Sequence, residues 1–228
     1  MRHNTVHNIN TTPGRPVSCR PRRLAPDRLA IAKAEFDTML KDGTARRSDS
    51  SWSSALHLVP KDRGWRPCGD YRALNPRTIP YRYPVRHIHD YAHHLAVCTI
   101  FSTMDLVRAY HLIPVHQDDV RKTAITTPIG FFEFPFMSFG LRNATQTFQR
   151  FMDEILREFC FCFFYIDDIL VYSRSPPEQE QHLRTLLKQL QAYRILLNPG
   201  KCLSCRRSYI PRLQDLGQGL AASARPGC

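Results

Sequence analysis

The sequence predicts an α+β fold, and three observations point to it. Short β-branched and aromatic runs of strand length alternate with longer segments of helical spacing. Hydrophobic residues occupy 43% of the 228 positions, enough for a buried core divided into two subdomains. No stretch reaches the roughly 20 apolar residues that a membrane-spanning helix needs.

The elements are expected in this order. Met1 to Pro26 is rich in Arg, Pro and Asn and reads as an extended arm or linker. "DRLAIAKAEFDTMLKDG" (27–43) is a helix: Asp27 can cap it, Leu29, Ala32, Phe36 and Leu40 share a face, and Gly43 can end it. "ALHLVPK" and "GWRPCGDYRAL" form two strands joined by a basic turn. "AVCTIFSTMDL" is a strand ending at Asp105, and "AYHLIPV" follows a turn or short helix. "KTAITTPIGFFEF" is a hairpin turning at "PIG". "NATQTFQRFMDEILREF" (143–159) is a helix that Asn143 can cap, with Phe148, Phe151, Met152 and Ile155 as its apolar stripe. "FCFFYIDDILVYS" (161–173) is a buried hairpin with its two aspartates at the tip. "PPEQEQHLRTLLKQLQAYR" starts with Pro and acids, as helices do. The domain reading is an arm at 1–26, a folded body at 27–204 and a poorly structured tail at 205–228.

The formal net charge is +12, which favours polyanionic partners, nucleic acid first; a merely solvated basic surface is the alternative. The first residues carry no apolar signal region, so an intracellular, cytoplasmic protein with its eight cysteines reduced is expected. Cys202 and Cys205 have half of a zinc-ribbon spacing without a second pair, and Cys160 and Cys162 read as small apolar packing residues.

The acids carry the chemistry. Asp167 and Asp168 sit between two apolar runs, where burial and mutual repulsion make the ionised pair costly. An exposed Asp-Asp turn is the plain alternative, but its aromatic flanks argue against exposure. Asp105 also closes an apolar run. Three such acids on neighbouring strands can hold two metals about 3.5–4 Å apart, the clamp of in-line phosphoryl transfer. The tip lacks the Asn-Gly or Asp-Gly of an easy turn, so backbone strain near Ile166 or Asp167 is expected. A two-metal phosphatase or nuclease would also use such acids.

The ordered series "SSWSSALHLVPKDRGWRPCGDYRALN", "TIFSTMDLVRAYHLIPV", "KTAITTPIGFFEFPFMSFGLRNATQTFQRFMDEIL", "YIDDILVYS" and "LLNPGKC" resembles the reverse transcriptase domain of gypsy-type LTR retrotransposons. The resemblance covers most of the chain, to about Cys202. It implies a right-hand polymerase fold with fingers and palm, and RNA-directed DNA polymerase activity on a template-primer with dNTPs. It also implies two Mg²⁺ ions, with Mn²⁺ as a substitute, and a place among other segments of a pol polyprotein, within virus-like particles. Asp105, Asp167 and Asp168 resemble the metal-binding acids, and Leu106 the position whose carbonyl also binds metal. Tyr110 resembles the steric gate against a ribose 2′-OH; from the residue alone it is equally a core aromatic. Lys61 and Arg66 resemble the triphosphate-binding pair, or are a solvated basic turn. Phe139 and Gly140 resemble the loop against the incoming nucleotide. Lys201 resembles the lysine that protonates pyrophosphate. Gln149 and Arg150 would face template or solvent.

Several positions depart from the family pattern. The fingers turn is one residue shorter, Leu112 stands where Gln is commoner, and Ser138 stands where Pro is usual. Beyond Cys202 the resemblance stops, so a frameshift or truncation is expected, and an inactive remnant with at most basic nucleic-acid binding is the rival reading.

Overall fold

The structure, a computed structural model, describes residues 3–61, 64–84, 95–107, 109–165 and 168–206. The described residues divide into two compact units: one within 5–82 and 110–147, the other within 3–4, 83–109 and 148–206.

The first unit is built on a five-stranded sheet. Its strands are β1 (Arg46–Arg47), β2 (Ser54–Lys61), β3 (Gly64–Asp70), β5 (Ile125–Thr127) and β6 (Gly130–Glu133). The order is β1-β6-β5-β2-β3. The expected hairpins β2–β3 and β5–β6 are present, and they join through a parallel β2–β5 pairing that local sequence does not announce. Helix α1 (Pro26–Lys41) covers the sheet, stacking Phe36 on Phe132 at 4.4 Å. Arg28 lies 4.3 Å above the Trp65 ring. The N-cap of α1 is Ala25, with Pro26 in the first turn and no side-chain cap bond. Asp27 is therefore not the cap; it stands inside the first turn, where its charge favours the helix dipole.

The arm is extended, and from Thr5 onward it is fastened to this unit. Isolated bridges join His7 to Val115, Thr11 to Thr78 and Ser18 to Ser53. Thr5, His7 and Ile9 are buried. Asp119 Oδ2 accepts from the Ile9 N–H at 2.8 Å, and Lys122 Nζ donates to the Ile9 carbonyl at 2.7 Å.

The second unit holds the sheet that carries the acids. Strands β4 (Ile100–Val107), β7 (Cys162–Tyr165), β8 (Asp168–Ser173) and β10 (Leu203–Arg206) run in the order β10-β4-β8-β7, and the short β9 (Leu196–Leu197) also pairs with β4. Helices α2 (Ala144–Leu156) and α3 (Pro176–Ala192) cover one face. Phe148 meets Phe164 edge-on at 5.4 Å, and Gln179 Nε2 donates to Ser102 Oγ at 2.8 Å. Alternation along β4 puts Ser102, Met104 and Leu106 on that helix-covered face and Thr103 and Asp105 on the other.

Several expectations are corrected here. Helix α2 ends at Leu156 rather than Phe159. The side-chain amide of Asn143 does not serve as a cap: Oδ1 accepts from the Tyr81 N–H and Nδ2 donates to the Ile79 carbonyl. Strand β4 does not stop at Asp105 but continues to Val107. Residues 205–206 belong to β10 rather than to an unstructured tail, and 207–228 lie outside the described residues. Cys162 is buried as expected, whereas Cys160 is exposed. No helix among the described residues is long and apolar enough to cross a membrane.

Candidate active site

Asp105 and Asp168 are direct cross-strand partners in the antiparallel β4–β8 ladder. Paired residues project from the same face, so two carboxylates stand side by side on the sheet. Both are half-buried. Asp168 is the first residue of β8 and pairs with Tyr165, so the expected placement of both acids at the hairpin tip is corrected for Asp168. Only Ile166 and Asp167 separate the two strands; they, and the strain expected there, lie outside the described residues.

Burial pushes the Asp168 carboxyl above the ordinary carboxylate range, and the charge of Asp105 pushes it the same way; the Lys201 ammonium opposes both. Lys201 Nζ lies 3.1 Å from Asp105 Oδ2. The Asp105 carbonyl accepts from the Asn198 N–H at 2.9 Å. Successive carbonyls of a strand point to opposite edges, so the Leu106 carbonyl is directed to the β8 side, while its side chain is buried. Among the described residues no group of three or more metal-ligating side chains occurs; the described donors are Asp105 and Asp168.

Of the other expected site residues, Lys61, Arg66, Tyr110, Phe139 and Gly140 belong to the first unit, where Tyr110 and Arg66 both meet Phe139. Tyr110, on the short 3₁₀ segment Ala109–Leu112, is 4% exposed and packs on Phe139 at 4.6 Å with the rings tilted by 56°. The Arg66 guanidinium of β3 lies 5.3 Å over the other ring of this pair, Phe139. Gly140 has φ +85°, a conformation that favours glycine. Lys61 ends β2 opposite Gly64; its side chain lies outside the described residues. Gln149 does not face solvent: it is 1% exposed and donates from Nε2 to Asp153 at 3.1 Å.

Three supporting residues escaped the sequence reading. Asn75 Nδ2 donates to the Gly140 carbonyl at 2.8 Å, and its Oδ1 accepts from the Arg142 N–H at 3.0 Å. Tyr71 is buried beneath the same loop and donates to the Thr123 carbonyl at 3.0 Å; burial holds its phenol well above the usual range, partly offset by a hydrogen bond with Ser138. Gly69 leaves room for that ring, since a Cβ there would lie 2.5 Å from Tyr71 Cζ. The signal available was an Asn before Pro and a Gly inside a strand pattern, both of which mark backbone approach rather than chemistry.

Residues 59–212 match the family model described as reverse transcriptase (RNA-dependent DNA polymerase). The retrovirus-related Pol polyprotein from transposon 297 of Drosophila melanogaster is 35% identical over 208 residues, which are 87% of this chain and 20% of that protein. The Pol polyprotein from transposon gypsy of the same organism is 37% identical over 166 residues, 68% of this chain and 16% of that protein. The chain thus spans a small part of the length of these relatives. A foamy viral protease–reverse transcriptase, solved in complex with an RNA/DNA hybrid, shares the fold: TM-score 0.75 and 23% identity, covering 86% of this chain and 27% of that one.

Proposed function

The chain belongs to the reverse transcriptase family, and from that premise we propose that it is the polymerase segment of a retrotransposon Pol polyprotein, transferring nucleotides to a primer 3′-OH on a nucleic-acid template. The observation that carries this reading is the Asp105–Asp168 cross-strand pair. Two carboxylates held on one face of adjacent strands repel, and burial worsens the repulsion; a hard divalent cation relieves it. The Lys201 ammonium against Asp105 supports the fit, because a positive charge is already accommodated there.

In this reading Asp105, Asp168 and the Leu106 carbonyl, with Asp167, would hold two Mg²⁺ or Mn²⁺ ions. Bound metal would activate the attacking oxygen and stabilise the leaving pyrophosphate. Carboxylates on a sheet suit the task because the backbone ladder fixes their spacing before metal arrives. Lys61 and Arg66 bind the dNTP triphosphate, Arg66 through its planar fork. Phe139 and Gly140 lie against the nucleotide. Tyr110 limits the space at the sugar, and its packing on Phe139 supports a rigid ring for that purpose. Lys201 supplies a proton to pyrophosphate. The net charge of +12 suits a nucleic-acid template-primer.

Primer extension by the purified chain on an RNA template with Mg²⁺ or Mn²⁺ tests the reading. Incorporation of dNTPs that is lost in Asp105→Asn and Asp168→Asn is the expected result. Incorporation no greater than in those variants would leave the chain a basic nucleic-acid-binding remnant.

A further inference from the structure

The edge of the palm-like sheet beside Asp105 is interrupted in a specific way. Leu196 and Leu197 pair with Val107 and Leu106 of β4, and the pairing resumes only where Leu203 meets Thr103. Between these two stretches, β4 spends the residues Met104 and Asp105 while the partner spends Asn198 through Cys202. The edge facing β4 is thus β9 and β10 joined by a long bulge, five residues against two, opposite Asp105. Bulges of this kind re-aim side chains beside sites.

The bulge is fixed at its base. Its first residue, Asn198, donates its N–H to the Asp105 carbonyl at 2.9 Å. The Asn198 carbonyl in turn accepts from the Lys201 N–H at 3.1 Å and from Cys202 Sγ at 3.2 Å. Pro199–Lys201 closes as a 3₁₀ turn. The backbone of the turn is therefore tied to the same residue whose carboxylate meets Lys201 Nζ. The lysine side chain itself is 67% exposed. A long flexible arm on a fixed base can leave Asp105 without disturbing the sheet.

We propose that Lys201 is the resident counter-cation of the Asp105–Asp168 pair and that a divalent cation reaches Asp105 only by displacing it. The inference rests on the reading of these acids as metal ligands. The ammonium, 3.1 Å from Asp105 Oδ2, offsets the carboxylate repulsion across the β4–β8 pair while metal is absent. Metal entry and lysine departure are then one exchange of cations. The displaced ammonium stays on its anchored turn, within reach of a polyanion that arrives with the metal.

The test is a Mn²⁺ titration of the purified chain, with free Mn²⁺ read from its electron paramagnetic resonance signal and no nucleotide present. Wild type, Lys201→Gln, Lys201→Arg, Asp105→Asn and the surface control Lys188→Gln are compared. Removing a like charge from beside a divalent site should tighten Mn²⁺ binding by about three- to tenfold in Lys201→Gln. Lys201→Arg and Lys188→Gln should stay near wild type. Equal binding by wild type and Lys201→Gln, with binding still lost in Asp105→Asn, would overturn the exchange while leaving the metal site standing. Tightening in Lys201→Arg equal to that in Lys201→Gln would also overturn it, since the turn rather than the charge would then be responsible. Undiminished Mn²⁺ binding in Asp105→Asn would remove the metal-ligand reading itself, and this inference with it.

Discussion

Asn75 grips Gly140 from one side chain while receiving the Arg142 N–H on the same amide, at 2.8 and 3.0 Å. The Arg142 guanidinium returns a bond from Nη1 to the Asn75 carbonyl at 2.9 Å. One polar residue thus fixes the loop that follows Phe139. Asn75→Ala should remove the protection of the Arg142 amide in hydrogen exchange and lower stability by about 1–2 kcal/mol, since two backbone groups lose their partner. If the proposed nucleotide role of this loop holds, KM for dNTP should rise more than kcat falls. Unchanged exchange at Arg142 would mean that the loop is held by other contacts.

Gly69 and Tyr71 set a steric limit beneath that loop. A Cβ at Gly69 would meet Tyr71 Cζ at 2.5 Å, Tyr71 Cε2 at 2.6 Å and Ile125 Cδ1 at 2.8 Å. The isoleucine methyl can turn away. The tyrosine ring cannot easily do so, because it is buried and its hydroxyl is bound to Thr123. Gly69→Ala should cost about 1–3 kcal/mol of overpacking, read as a lower Tm. Gly69→Ala combined with Tyr71→Phe should recover part of the loss, because the ring is freed to move.

Asp168 should behave in the opposite sense when metal is withheld. Its folded carboxyl is raised by burial and by Asp105. A raised acid favours the protonated folded state, so its contribution is best below the ordinary carboxylate range and is lost as pH rises through the raised value. At neutral pH the ionised group therefore opposes folding. Asp168→Asn should raise Tm of the chelator-treated protein by roughly 2–4 °C at pH 7, with the gain shrinking toward acid pH. Added Mn²⁺ should stabilise wild type more than this variant. A lower Tm in the variant at neutral pH would contradict the repulsion argument.

Asp70 titrates with the reverse sign. Arg72 places Nε 2.8 Å from Oδ1 and Nη2 2.7 Å from Oδ2, and Arg22 of the arm also donates to Oδ2. The hydrogen bond from Arg72 leads in holding the Asp70 carboxyl well below its ordinary value, with burial opposing and Arg22 assisting. Its stabilisation is complete above the ordinary carboxylate pKa and is lost as pH falls toward the depressed value. Thermal melts of wild type and Asp70→Asn should differ by several degrees at pH 7, with the difference beginning to shrink only below the ordinary carboxylate range and still largely present at roughly pH 3. A difference that does not shrink at all below the ordinary carboxylate range would assign the effect to shape rather than charge.

The legible parts of this fold are those whose pairing is local. The β2–β3 and β7–β8 hairpins join segments a few residues apart, and each strand shows its own β-branched or aromatic run. The proximity of Asp105 and Asp168 was legible for a related reason: each acid interrupts an apolar run, which few positions outside a site tolerate. What local pattern missed was set by distant partners. Strands β9 and β10 are short, and they are strands because the edge of β4 accepts them. Asp168 lies within a ladder rather than at the tip because the register of Tyr165 leaves only Ile166 and Asp167 for the connection. Gln149, polar by type, is buried because Asp153 meets it one helical turn later.

The arm gives the last and most exposed test of such distant partnerships. Ile9 offers both backbone groups to one ion pair: Asp119 accepts its N–H and Lys122 donates to its carbonyl, while Lys122 Nζ and Asp119 Oδ1 lie 2.6 Å apart. Both side chains are mostly buried, at 9% exposure for Asp119 and 18% for Lys122. Removing one partner strands the other in a poor solvent. Asp119→Ala should therefore destabilise by about 2–4 kcal/mol, more than Lys122→Met, whose apolar stem still fills its space. The arm should also loosen before the core does. Limited trypsin digestion should cut Asp119→Ala at Arg22 or Arg23 under conditions where wild type remains intact, and equal resistance of the two proteins would show that the bridges at Thr11 and Ser18 hold the arm without the ion pair.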